Sequence, residues 1–354
     1  MTNKLLFEDL KPNTRISKLK IKKVISIFKN KIDIVKINDG YYELEKENGL
    51  LKNDSIQIIS VTKSLIKQYL LYHFLPYNKC FVRKHVSYKD IATLCGISVP
   101  TARRNQNLLS ILGLAYFTPS SNGYGKFDIV ICDEYKNHFK KKNGGGGYIT
   151  LTTDDLANFL DINCINELKV ELKKLLWIDA AKKSRGKKIV FNKENLVNTL
   201  PEYIKKSSKL INNIIYSKNS RFKPLGNRLD ITNYKSKSEF NKNFRDSTQK
   251  RILNLFNNGN FSFSSNYSDT LLRFKFKKPL LDTNIKLESE KTLIVNELVN
   301  LSIEFGFKKV LIALNYMFDN TYYEDNININ NIHNPGGFVR SFITKSILNI
   351  GSLY

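Results

Sequence analysis

The feature that most restricts this chain is a pattern stated twice. Asp90, Ala92 and Ile97 in "DIATLCGI" reappear 65 residues later as Asp155, Ala157 and Ile162 in "DLANFLDI". With one residue deleted, Leu108, Ile111, Leu112 and Leu114 answer to Leu172, Leu175, Leu176 and Ile178. Such self-similarity implies one supersecondary unit used twice. In the first copy "SYKDIATLCG" reads as a short helix capped by Ser87, with Ile91, Ala92, Leu94 and Cys95 facing inward. Gly96 supplies a tight turn, Ser98 is placed to cap the next helix, Pro100 suits its first turn, and Ala102, Leu108, Leu109 and Leu112 mark its buried side. "LAYFTPSSNGYGKFDIVICDE" then offers two β-prone runs around a Gly-containing turn, a hairpin signal. Helix, turn, helix and hairpin make a winged helix. The second copy ends in "WIDAAKKSRGKKIVF", read as a second wing whose basic loop runs from Lys182 to Lys188.

The expected fold is therefore mainly α with small β-hairpin wings (α+β): tandem winged-helix domains and a C-terminal helical domain. Residues 1–60 form an N-terminal extension with a hairpin around Asn38-Asp39-Gly40. Residues 61–142 form the first winged helix, opened by the amphipathic helix "VTKSLIKQYLLYHFL". A glycine linker at 143–147, with Gly144 to Gly147 as the hinge, leads to the second winged helix at 148–204. Residues 205–251 carry thirteen Lys and Arg against three acidic residues and read as a weakly structured basic connector. The helical domain covers 252–354, with a break near Gly306 and a last helix at "NPGGFVRSFITKSI", where Asn334 caps and Pro335 takes the first turn.

Lys and Arg number 57 against 32 Asp and Glu, a net charge of +25 that points to an extended polyanion as partner, nucleic acid ahead of acidic membrane. No apolar run approaches the roughly 18 to 20 residues that cross a bilayer, and the N-terminus lacks the apolar core of a secretory signal. A cytoplasmic, nucleoid- or plasmid-associated protein is expected. Cys80, Cys95, Cys132 and Cys164 form no C-x-x-C pair and read as reduced thiols, mostly buried. No P-loop run is present, His73, His85, His138 and His333 are isolated, and Asp154-Asp155 suit a helix start. We read no catalytic constellation, and expect no enzyme, no cofactor and no metal.

A helix whose N-terminal end carries Ser98, Thr101, Arg103 and Arg104 has what major-groove docking needs: a partial positive charge toward phosphate and short polar or Arg side chains toward base edges. Asn105 and Asn107 add polar contacts, and Tyr124 and Lys126 belong to the first wing. In the second copy Glu167 and Glu171 balance the lysines, so its helix is not expected in a groove. Its wing, with Lys182, Lys183, Arg185, Lys187 and Lys188, is the expected phosphate contact.

The stretch from Ser98 to Arg104 resembles the recognition region of GntR-like winged-helix proteins, in which a Ser-x-Pro-Thr-x-Arg-Arg run precedes an apolar stripe; it departs from that pattern at Val99, Asn105 and Gln106. The whole layout, closing on "NPGGFVRSFI", resembles theta-type plasmid or phage replication initiators of low-GC bacteria, and its end is similar to the helical tail of DnaD-like primosome proteins. The resemblance implies binding of double-stranded DNA at origin repeats and recruitment of host helicase and primosome proteins by the tail. A winged-helix transcriptional or partition regulator is the alternative, and a homodimer is left open.

Overall fold

The computed structural model of the chain describes residues 7–26, 31–37, 40–43, 56–78, 80–121, 125–132, 147–183, 192–218, 220–226, 228–230, 237–257, 283–318 and 335–349. The protein is mostly helical with small antiparallel sheets and divides into two compact units.

The larger unit comprises Asn13–Phe74 and Lys79–Lys237. It opens with β1 (Asn13–Ser17), α1 (Lys18–Ser26), β2 (Lys31–Ile37), β3 (Gly40–Glu43), β4 (Ile56–Ser60) and α2 (Lys63–Phe74). The first repeat copy supplies β5 (Val82–Ser87), α3 (Tyr88–Cys95), α4 (Val99–Ile111), β6 (Ala115–Pro119) and β7 (Lys126–Ile131). The second supplies β8 (Tyr148–Thr152), α5 (Thr153–Asp161) and α6 (Ile165–Lys183). Then follow α7 (Lys193–Val197), α8 (Glu202–Lys205), α9 (Ser208–Ile215), β9 (Lys223–Leu225) and β10 (Arg228–Asp230).

The two copies share strand, helix and helix in equivalent places, and the capping chemistry repeats with them. Ser87 caps α3 by accepting from the Lys89 N–H, and Gly96 ends it in the left-handed region at φ 62°. Thr152 caps α5 in a reciprocal box with Asp155. Beyond the second helix the copies diverge. After α4 the chain makes the β6–β7 hairpin, and β5 adds to it in the order β5-β7-β6. After α5 the expected hairpin is corrected: α6 runs on through Trp177 to Lys183, so Lys182 and Lys183 end a helix and not a strand. Helical spacing of Leu168, Leu172, Leu175, Leu176 and Ile178, all buried, and the good helix formers Ala180 and Ala181 carry it forward. The rest of that proposed wing, including Arg185, Lys187 and Lys188, lies outside the described residues, as do Gly144 to Gly146 of the hinge.

Strand β8 pairs antiparallel with β1 from Asn13↔Thr152 to Ser17↔Tyr148, which makes residues 13–26 part of this unit and not of a separate extension. Strands β2 and β3 form the hairpin around residues 38–39, and β4 joins on the other side in the order β3-β2-β4. The amphipathic reading of α2 is also corrected. Every residue from Leu65 to Phe74 is buried, because α3, α4 and α5 all pack against this helix. The segment read as a weakly structured connector contains α9, whose Ile211, Ile214 and Ile215 are buried, and the β9–β10 hairpin. None of the four cysteines is in a disulfide, and only Cys95 is buried.

The smaller unit comprises Met1–Pro12, Leu75–Asn78 and Ser238–Tyr354. It holds a 3₁₀ turn (Phe7–Asp9) and the helices α10 (Lys237–Asn257), α11 (Thr283–Phe305), α12 (Phe307–Phe318) and α13 (Pro335–Asn349). Ile252, Leu298, Val310, Ala313, Val339 and Ile343 are among the side chains of its core. Gly306 separates α11 from α12 at φ +91°, and a Cβ there would stand 3.1 Å from the Asp9 carbonyl oxygen. Gly306→Ala should therefore cost about 1 to 2 kcal/mol through the disfavoured left-handed backbone alone, read as a lowered urea midpoint. An unchanged midpoint would contradict this account of the break. The first glycine of "NPGG" is required by space. A Cβ on Gly336 would fall 1.9 Å from the Glu297 carboxyl carbon, so glycine lets that carboxylate of α11 lie against the first turn of α13, at its partial positive end.

Candidate nucleic-acid interface

Helix α4 is built to present its N-terminal end. Ser98 stands outside the helix with extended backbone, its Oγ accepts from the Thr101 N–H at 3.3 Å and lies 2.8 Å from Thr101 Oγ1, and Pro100 occupies the first turn. At the other end Lys20 and Lys23 of α1 donate to the carbonyls of Gly113 (3.0 Å) and Leu112 (3.4 Å), placing positive charge where the helix is partially negative.

The rotation of α4 about its axis is fixed by a buried polar contact. Gln68 of α2 donates from Nε2 to the Ala102 carbonyl at 3.0 Å and to Tyr72 Oη at 2.5 Å, and its Oε1 accepts from Asn105 Nδ2 at 3.0 Å. Asn105 is therefore corrected from a candidate contact to a core residue, 2% exposed, and Gln106 turns inward beside it. With Asn105 pinned, helical spacing turns Arg103, Arg104 and Asn107 outward, and all three are exposed together with Ser98, while Thr101 is half-exposed. Gln68→Leu leaves the Asn105 amide buried without its acceptor. A loss of about 1 to 3 kcal/mol is expected in urea unfolding, and an unaltered stability would remove this contact from the account.

Arg103 does not extend freely: its guanidinium lies 5.0 Å from the centroid of the Tyr88 ring, a cation–π contact at the first residue of α3. Arg104 is exposed and bonded to no other described residue. Beside the helix, Lys126 is exposed at the start of β7, and Tyr124 lies outside the described residues. Tyr116 on β6 is 61% exposed. The turn end of this hairpin is anchored by His85, which sits in the left-handed region at φ 57° where β5 bulges between Arg83 and Val86. Its backbone N–H donates to Asp128 Oδ1 at 2.8 Å and its ring Nδ1 is bonded to Ser120 Oγ. Burial holds its imidazole below the usual pKa, against the pull of Asp128. Tyr88 and Tyr116 are not singled out by the sequence, and His85 reads there only as an isolated histidine. Tyr88, directly after the Ser87 cap, carried the only usable signal, because that position fixes where its ring must stand.

The second copy offers no matching face. Under the alignment of the repeat, Arg103, Asn107 and Ser110 correspond to Glu167, Glu171 and Lys174, and Ser220 and Arg221 lie over that side of α6. Lys174, fully buried, donates to Ser220 Oγ at 2.8 Å and to the Ile215 carbonyl at 3.0 Å, and stands 3.5 Å from Glu171. Glu171 accepts from Ser220 Oγ at 2.7 Å and from the Arg221 N–H at 2.8 Å. Arg221 reaches on to pair with Asp155 at 2.7 Å. Burial lowers the Lys174 pKa and Glu171 pulls it back.

The arrangement around α4 offers exposed hydrogen-bond donors and positive charge along one helix. Among the described residues no group of three or more His, Cys, Asp or Glu is placed to hold a metal ion, and no helix is long and apolar enough to cross a membrane. No family model, no curated protein and no solved structure matches the chain.

Proposed function

We propose that the chain binds double-stranded DNA sequence-specifically through α4, and that it acts as a replication initiator. In this reading α2, β5, α3, α4 and the β6–β7 hairpin form a winged helix, a description supported by their order and by the sheet order β5-β7-β6. One observation carries the proposal: Ser98, Arg103, Arg104 and Asn107 are all exposed on a helix whose rotation is locked from behind by Gln68. Donors of these types suit major-groove base edges, with Arg bidentate on guanine, and the capped N-terminus suits a flanking phosphate. Lys126 is placed to meet the backbone beside the groove. The net charge of +25 supplies long-range attraction to a polyanion.

Only the first copy reads bases in this account. The initiator role adds that the smaller, helical unit contacts host helicase and primosome proteins. A mobility-shift assay on DNA flanking the gene tests binding, and plasmid maintenance by a chain lacking α11 to α13 tests initiation. Retained binding with lost maintenance is the expected pair of results. Maintenance by the shortened chain would overturn the initiator role and leave a regulator.

A further inference from the structure

Four of the seven large apolar side chains most exposed among the described residues, Tyr203, Leu210, Tyr216 and Leu225, fall in one short part of the larger unit. From Lys193 to Lys218 the first three are accompanied by five lysines against two glutamates, and one of those, Glu202, is bonded to Lys205 at 2.6 Å. Helix α9 turns Ile211, Ile214 and Ile215 into the core. Its outer side carries Lys209, Asn212 and Asn213 and leads to Tyr216, which is 48% exposed. Lys193 of α7 ties this side together: its Nζ donates to Asn212 Oδ1 at 3.0 Å and stands 6.0 Å from the Tyr216 ring centroid.

We propose that this α7–α9 surface holds single-stranded nucleic acid, with Tyr216 as a stacking platform for a base and Lys193 and Lys209 on the adjoining phosphates. Exposed aromatic rings interleaved with lysines are what an unpaired strand requires, because each base offers a π-face and each step a phosphate. A duplex keeps its base faces stacked inside the helix, so it cannot use the tyrosines. The excess of lysine over glutamate opposes a basic protein partner, and the exposed amides of Asn212 and Asn213 give hydrogen bonds without demanding one base. The inference deepens the proposed function and rests on it for the presence of DNA: one chain would then read a duplex site through α4 and keep hold of a separated strand through α9.

The test uses the full chain and fluorescence anisotropy with a labelled oligothymidine of about 20 nucleotides, alongside a duplex bearing the site that the chain selects. The wild-type chain should bind the oligothymidine, Tyr216→Ala should weaken it about tenfold, and Tyr216→Phe should retain it. Lys193→Gln with Lys209→Gln should flatten the dependence of log K on log salt by about 1.4, since each phosphate of a single strand that is no longer neutralised takes about 0.7 from the slope. Duplex affinity should stay unchanged in all three variants. Arg103→Ala with Arg104→Ala should do the reverse, losing the duplex site and keeping the oligothymidine. Should that pair leave duplex binding intact, the reading of α4 falls while this inference stands. A wild-type chain that leaves the oligothymidine unbound overturns the inference, and so does Tyr216→Ala binding as tightly as wild type or losing strand and duplex equally.

Discussion

Glu171→Ala should remove about 3 to 5 kcal/mol of stability from the larger unit, the usual cost of stranding one member of a buried ion pair. Glu171 and Lys174 are 2% and 0% exposed, and the carboxylate accepts two further hydrogen bonds, from Ser220 Oγ and the Arg221 N–H. Its removal leaves the buried Lys174 ammonium without the carboxylate it is paired with and the Arg221 N–H without its acceptor. Replacing Glu171 with Leu and Lys174 with Met together should recover most of the loss, since well-packed apolar residues substitute for a buried pair at little cost. Urea unfolding followed by circular dichroism measures both. A single substitution costing less than about 1 kcal/mol would mean that water enters beneath Ser220 and Arg221, and the description of α6 as a covered helix would fall.

The second large effect is on binding. Arg103→Ala with Arg104→Ala should weaken the specific duplex by about 2 to 6 kcal/mol, taking about 1 to 3 for each bidentate contact to a base. Random duplex should lose much less, because the charge of +25 is spread over the chain and this pair is a small part of it. The two arginines need not contribute equally. Both are exposed, but Arg103 must leave the Tyr88 ring or carry it along, so Arg104→Ala alone is expected to account for the larger part. Equal weakening of specific and random DNA would leave phosphate contact as their only role.

How much of this was legible in the sequence depends on how local the cause was. The caps at Ser87 and Ser98, the turn at Gly96 and the helix break at Gly306 follow from side-chain and backbone preferences within a few residues, and each stands where the sequence placed it. Asn105 was misjudged because its orientation is decided by Gln68, on a helix far earlier in the chain. Exposed or buried, a polar residue on α4 looks the same until its partner is known. The first run of the proposed second wing differs for a related reason. "WIDAAKKSRGKKIVF" has apolar runs around a basic loop, but the first run is also helical, and burial of Leu175, Leu176 and Ile178 decided for helix. The repeat itself was legible, and so was the expectation that the helix of its second copy does not enter a groove. Glu167 and Glu171 at the places of Arg103 and Asn107 were the visible sign of a changed role, and Ser220 and Arg221 provide the reason.

The claim that α4 reads bases is tested most directly by selecting sites from a pool of random duplexes with the wild-type chain, and again with Arg103→Ala and Arg104→Ala combined. Methylation of guanine N7 in the selected site then shows whether its major-groove edge is needed, since that atom is one of the two acceptors a bidentate arginine uses. The account predicts one enriched motif containing guanine, interference by N7 methylation at one or two of its positions, and loss of enrichment at those positions in the double variant. An unenriched pool, or the same motif recovered equally well without the two arginines, would contradict it.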